Sequence, residues 1–225
     1  MLRMVPLPRR YATGEDRNRL MSNVTLIGYG SGNVASVRFA LERLGARVRI
    51  TADPADLDEA ERVILPGVGA AGYAMQRLNA LGLVEPLRQF KRPLMGVCLG
   101  QQLLFETSEE DEDTENGGAD LLGLIPGRVE AILPAPSRPS PHMGWSRLAI
   151  RRPDPLLEGV KDGDWAYFVH GFVCPDGPAT LAAADYGVAI PAVVNSANRW
   201  GCQFHPERSA AAGARILKNF LELPA

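Results

Sequence analysis

The stretch PLMGVCLGQQLLFE, Pro93 to Glu106, begins as a short apolar run and continues with helical spacing, and a lone cysteine, Cys98, stands at the change of period. A buried strand passing directly into a helix leaves this pattern. The chain around it repeats the alternation. Upstream, VTLIG (Val24 to Gly28) reads as a buried strand, and GNVASVRFALERLG puts Val34, Val37, Leu41 and Leu44 on one helical face before Gly45 stops it. RVRIT (Arg47 to Thr51) and RVILPG (Arg62 to Gly67) are further strands, the second leading through a glycine loop into a helix around Tyr73 to Leu78. PLMGV is the fourth strand, and a helix is predicted from Leu99 to Glu106. Parallel neighbours need a long return connection, so this alternation predicts an α/β fold with a mostly parallel central sheet and right-handed crossovers.

Beyond Asp120 the texture changes. Proline-rich connections join short strands in GRVEAIL, GWSRLAI, WAYFVH, ATLAAA, AVVNS and RWGCQF, which makes the second half strand-rich. Only Arg208 to Leu223 returns to a helical stripe, through Ile216, Leu217, Phe220 and Leu221. At 225 residues, 46% of them hydrophobic, the chain can bury a full core, so residues 21–225 read as one domain. The first twenty residues hold several arginines and no signal-peptide apolar run, and Glu15 with Asp16 argues against a transit peptide. They read as a disordered tail or an over-extended start ahead of Met21. The acid-dense run from Glu106 to Asn116 reads as a solvated loop.

A net charge of -2 without a clustered basic face gives no electrostatic case for nucleic acid or an anionic membrane. No apolar run approaches the roughly 20 residues that cross a bilayer. Three scattered cysteines, Cys98, Cys174 and Cys202, form neither a disulfide framework nor a zinc site, so no metal is expected and a reducing, cytoplasmic setting fits.

Cys98 therefore needs another reading. Gly96 precedes it and Gly100 follows it, the small-residue setting of a nucleophile elbow, where a side chain projects from the end of a sheet. The positive end of the following helix favours an anionic sulfur, and the first-turn N–H of Leu99 has no intrahelical acceptor, so it can face an oxyanion. The plainer reading is a small buried hydrophobe. A thiolate nucleophile needs a base, and QFHPERS offers one: His205 and Glu207 are two apart in an extended segment, so both leave the same face. A carboxylate there can fix the imidazole tautomer and stabilise the imidazolium. LPGVGAAG, Leu65 to Gly72, is a second strand-to-helix glycine loop, whose Gly67, Val68 and Gly69 can turn a peptide N–H toward developing negative charge. It lacks a P-loop lysine, and GYGSGN (Gly28 to Asn33) lacks the full dinucleotide fingerprint, so no nucleotide cofactor is implied.

Taken together, GVCLGQQLLFE, LPGVG and QFHPERS, in that order and spacing, resemble the class I (triad) glutamine amidotransferases. GYGSGNVASV, ILPGVGAAGYAM, LFETSEE, LGLIPGRV, PHMGW and YFVHGF are similar to one branch of them, the glutaminase subunits of imidazole glycerol phosphate synthases, over essentially Val24 to the C-terminus. The resemblance implies a three-layer fold and hydrolysis of glutamine to glutamate and ammonia. Cys98 would attack the side-chain amide, His205 would pass a proton to departing ammonia, and Glu207 would orient His205. Leu99 and the loop around Val68 and Gly69 would hold the oxyanion after a peptide rearrangement, while Gln102 and Glu110 match positions that bind the backbone groups of glutamine. The resemblance also implies a partner, a (β/α)8-barrel cyclase that takes the ammonia, with Asn33, Trp145, Tyr167 and Arg208 near their interface. Gly28, Gly171-Phe172 and Arg208 depart from residues common in that branch. These departures leave open a glutaminase serving another acceptor, as in surface-polysaccharide amination; a non-catalytic scaffold is a third reading, against which the intact Cys98, His205 and Glu207 speak. His142 and His170 are expected to pack or hydrogen-bond, since the triad already has its base.

Overall fold

In the computed structural model, which describes residues 22–30, 33–110 and 118–225, the first half alternates strand and helix. β1 (Asn23–Ile27), α1 (Val34–Arg43), β2 (Arg47–Thr51), α2 (Asp56–Glu59), β3 (Val63–Gly67), α3 (Ala71–Ala80), α4 (Val84–Gln89), β4 (Leu94–Cys98) and α5 (Leu99–Gln102) follow one another. The second half supplies β5 (Thr107–Ser108), β6 (Ala119–Asp120), β7 (Arg128–Ala131), β8 (His142–Arg147), β9 (Ala149–Ile150), β10 (Trp165–His170) and β11 (Phe172–Val173). It ends with β12 (Thr180–Asp185), β13 (Ala189–Ser196), β14 (Arg199–Cys202) and α6 (Ala210–Glu222). The expected tail at 1–20, the start at Met21 and the acidic run past Glu110 lie outside the described residues.

Eight strands form one sheet in the order β2-β1-β3-β4-β14-β13-β12-β9. From β2 to β14 every neighbour is parallel, and from β14 to β9 every neighbour is antiparallel. Side-chain alternation sorts each parallel strand onto two faces. Leu26, Ile64, Met95 and Val97 join one apolar cluster with Val37 and Leu41 of α1 and Ile216, Leu217 and Phe220 of α6. Ile27, Val63, Leu65 and Leu94 join the other, with Leu78 of α3 and Leu87 of α4. The result is three layers, because a parallel sheet is covered on both faces.

One expectation is corrected. The helix after Cys98 ends at Gln102 and does not run to Glu106. Leu103, Leu104 and Phe105 are all buried, and three consecutive residues cannot share one helical face. The chain tightens instead, with the N–H groups of Leu104 and Phe105 donating to the carbonyls of Gln101 and Gln102, three residues back.

Candidate active site

Register brings the predicted residues together. β4 lies between β3 and β14, parallel to both, with Gly67 paired to Cys98 on one side and Cys202 paired to Val97 on the other. The C-terminal ends of three adjacent strands thus release the glycine loop, the cysteine and the QFHPERS segment at one edge of the sheet, the usual location of sites in parallel α/β sheets. Val68, Gly69, Cys98, Leu99, Gln102, Glu110 and His205 line a single cavity of about 350 Å³ there. Gly67 closes the strand below the loop, and Glu207 sits behind His205 with its side chain 1% exposed.

The elbow is built by close approach. Cys98 itself takes the left-handed turn, at φ 54° and ψ −113°, a conformation that costs a non-glycine residue about 1–3 kcal/mol and persists only where surrounding structure enforces it. The flanking glycines serve packing. A Cβ on Gly96 would lie 2.2 Å from the Gly100 carbonyl oxygen, and one on Gly100 would lie 1.8 Å from that of Leu65. Gly69, at φ +95°, does need glycine's conformational freedom.

The Cys98 sulfur lies 3.7 Å from the Val169 carbonyl, which can accept from the thiol, and 3.9 Å from the donor Nε2 of Gln203. His205 Nδ1 is 2.9 Å from Glu207 Oε1, so a neutral ring carries its proton on Nδ1 and turns Nε2 to the cysteine side. Nε2 is buried without a nitrogen or oxygen partner, and the sulfur is the group that acts on it. Burial pulls the His205 pKa down, but the interactions with Cys98 and Glu207 outweigh it and hold the imidazole up at about 10. An imidazolium therefore faces the sulfur through the neutral range. The positive charge beside the sulfur comes from this ring more than from α5, because a helix of one turn aligns few peptide dipoles.

Glu110 Oε2 accepts from the backbone N–H of Ala71 at 2.7 Å, tying the predicted substrate residue to the first turn of α3, just past the glycine loop. Gln102 uses both hydrogens of Nε2, on the Phe172 carbonyl at 3.0 Å and on Gln203 Oε1 at 3.1 Å, which leaves Oε1 for a ligand. Sequence reasoning missed Gln203. The residue lies in the QFHPERS motif, but nothing in its spacing shows that its side chain turns toward Cys98 from a fully buried position.

The expected interface residues separate into two kinds. Trp145 and Tyr167 are cross-strand partners on the β8–β10 ribbon, packed edge to face with centroids 5.7 Å apart, and Trp145 is half exposed, so it is no core residue. Arg208 is exposed beside the triad, whereas Asn33 caps α1 through an Oδ1 that accepts from the Ser36 N–H at 3.3 Å. His142 and His170 do hydrogen-bond: His142 Nδ1 and His170 Nε2 are 3.0 Å apart, and burial pulls both down to about 4. Unfolded histidines take up protons near 6.5, so the stability this neutral pair contributes is complete above that value and is lost as pH falls from 6.5 toward 4. The melting temperature should drop over that window, and the slope should be shallower in His170→Asn. An equal slope in both would contradict the assignment.

Residues 25–223 match the family described as glutamine amidotransferase class-I. The imidazole glycerol phosphate synthase subunit HisH of Xylella fastidiosa is 53% identical over 91% of this chain and 100% of its own length. That of Xanthomonas axonopodis pv. citri is 54% identical over 90% and 98%. Among solved structures, a glutamine amidotransferase superposes with a TM-score of 0.67 at 20% identity, covering 88% of this chain and 97% of its own. PurLQS from Thermotoga maritima gives 0.66 at 19%, covering 90% and 98%, and both likenesses speak for the fold alone. No helix among the described residues is long and apolar enough to cross a membrane. With its family match over nearly the whole described chain and relatives above half identity, the chain belongs to the class-I glutamine amidotransferases, on the branch of the imidazole glycerol phosphate synthase HisH subunits.

Proposed function

We propose that the chain hydrolyses glutamine to glutamate and ammonia in the cytoplasm and delivers the ammonia to a (β/α)8-barrel cyclase, which makes imidazole glycerol phosphate and an aminoimidazole carboxamide ribotide in histidine biosynthesis. The observation that carries this reading is the meeting of Cys98, His205 with Glu207, and the Gly67–Gly69 loop around one cavity at the ends of three parallel strands.

Glutamine enters with its α-amino and carboxylate groups toward Glu110 and Gln102, and its side-chain amide toward Cys98. The thiolate attacks the amide carbon, and the carbonyl electron pair moves onto oxygen, stabilised by the Leu99 N–H and by the loop around Val68 and Gly69. The His205 imidazolium gives its proton to the amide nitrogen as the C–N bond breaks, releasing ammonia and leaving a thioester on Cys98. Neutral His205 then takes a proton from water, whose oxygen attacks the thioester, and glutamate leaves as the Cys98 thiolate and the His205 imidazolium are restored. Glu207 keeps the proton on Nδ1 throughout and offsets the imidazolium charge. Ammonia released into water near neutral pH is mostly protonated and no longer nucleophilic, so direct transfer to a partner serves the second reaction. The outer face of the β8–β10 ribbon, with Met143, Trp145 and Trp165 each about half exposed or more, supports docking there, since aromatic residues anchor interfaces.

Glutamate release from glutamine by the chain alone should be low and should rise at least about 100-fold when the barrel cyclase and its substrate, or an analogue of it, are added, because the oxyanion loop must rearrange. High activity of the isolated chain, or an unstimulated complex, would contradict this reading.

A further inference from the structure

Besides His205, the Cys98 sulfur meets a donor, Nε2 of Gln203, and the orientation of that amide is inherited from a chain of hydrogen bonds. The Phe172 carbonyl can only accept. It takes an N–H from Gln102 at 3.0 Å and another from His170 Nδ1 at 2.8 Å. Neutral His170 must then accept on Nε2, so His142 donates from Nδ1 at 3.0 Å and itself accepts, on Nε2, from the Ser146 hydroxyl at 2.9 Å. On the other branch, Gln102 Nε2 also donates to Gln203 Oε1 at 3.1 Å, which turns Gln203 Nε2 toward the sulfur. Within each branch the directions are fixed by the Phe172 carbonyl, which accepts from both. The ring of His142 is held between Phe168, with centroids 4.7 Å apart, and Tyr186, at 3.9 Å, both nearly parallel to it. Burial keeps both histidines neutral above about pH 4, the state this arrangement needs.

We propose that Gln203, His170 and His142 are positioning residues for Cys98: two hydrogen-bond branches meet on the Phe172 carbonyl, one from Ser146 through the two histidines and one from Gln102, and Gln102, fixed by that carbonyl, holds Gln203 with an N–H facing the sulfur, ready for a thiolate. The inference rests on the glutaminase function proposed above. It also gives the β8–β10 ribbon a second duty. Alternation along β8 sends His142 and Ser146 to the inner face and Met143 and Trp145 to the outer one, so the strand that begins the histidine branch is the strand that presents the exposed tryptophan.

The test is steady-state glutamate release by the chain in complex with the barrel cyclase. Gln203→Leu and His170→Leu should each lower kcat by about ten-fold or more, a larger change than in KM, since the Cys98 sulfur loses its oriented donor. His170→Asn, which keeps a donor toward the Phe172 carbonyl, should recover to within about three-fold of wild type, a rescue that lost packing alone would not give. Ser146→Ala removes one hydroxyl and should fold whatever the larger changes do. It should lower kcat about two- to five-fold alone and add nothing to Gln203→Leu, because linked residues are non-additive. Values of kcat within two-fold of wild type for Gln203→Leu and Ser146→Ala, or losses that multiply in their double variant, would overturn the proposal. A wild-type complex that releases no glutamate would instead overturn the glutaminase reading.

Discussion

Cys98→Ala is expected to remove glutamine-dependent synthesis by the complex, by about 10⁴-fold or more, and to leave synthesis driven by added ammonia unchanged. The size follows from covalent chemistry: without the sulfur no thioester forms, and neither the oxyanion donors nor His205 can replace a missing nucleophile. Alanine keeps a Cβ at the same strained position, φ 54°, so the elbow, the pairing of β4 with β3 and β14, and the partner surface should be retained. On the proposed function the ammonia-driven reaction belongs to the cyclase and does not involve the thiol. Equal loss of both reactions, measured on the same preparation, would contradict the division of labour between the two subunits.

Gly100→Ala should have the largest effect on stability. The new Cβ would sit 1.8 Å from the Leu65 carbonyl oxygen, a backbone atom of β3 that cannot swing aside as a side chain would. β3 and α5 must part, at a cost of about 3 kcal/mol, which lowers the melting temperature by roughly 6–12 °C in a chain of this size. The same movement separates Cys98 from the glycine loop at the end of β3, and a displacement near 1 Å should lower glutamine hydrolysis about 100-fold. Gly177→Ala is the control, because a Cβ there meets nothing within 4 Å and the backbone is in no left-handed region. Melting of Gly100→Ala within 2 °C of wild type, with kcat preserved, would show that the elbow does not depend on this contact.

The proposed triad was legible because its residues stand in local patterns. A change of period marks Cys98, and a histidine two residues from a glutamate in extended chain marks the base and its orienter. The glycines beside Cys98 mark the elbow in the sequence but do not reveal their part in it: the cysteine makes the turn, and Gly96 and Gly100 let the backbones of β3, β4 and α5 touch. What stayed hidden depends on where side chains point once distant strands are aligned. Gln203 reaches the sulfur only because β14 is registered on β4. The premature end of α5 follows from triple burial at Leu103–Phe105, which the apolar run LLF leaves open to either a longer enclosed helix or a tight turn. Asn33, matched to the interface by resemblance, spends its side chain on a helix cap.

The insertion of β14 between β4 and β13 also has a bearing on how the chain matures. Strands made early, β1 to β4, can pair among themselves while the chain is still emerging from the ribosome, yet the central slot beside β4 waits for one of the last strands to be synthesised. Gln203 is 105 residues beyond Cys98, so the sulfur meets its amide and imidazole neighbours only after a long loop has closed, the slow kind of step in assembly. A nascent or proteolytically clipped chain lacking β14 has a cysteine but no base, and so would make no ammonia ahead of its partner.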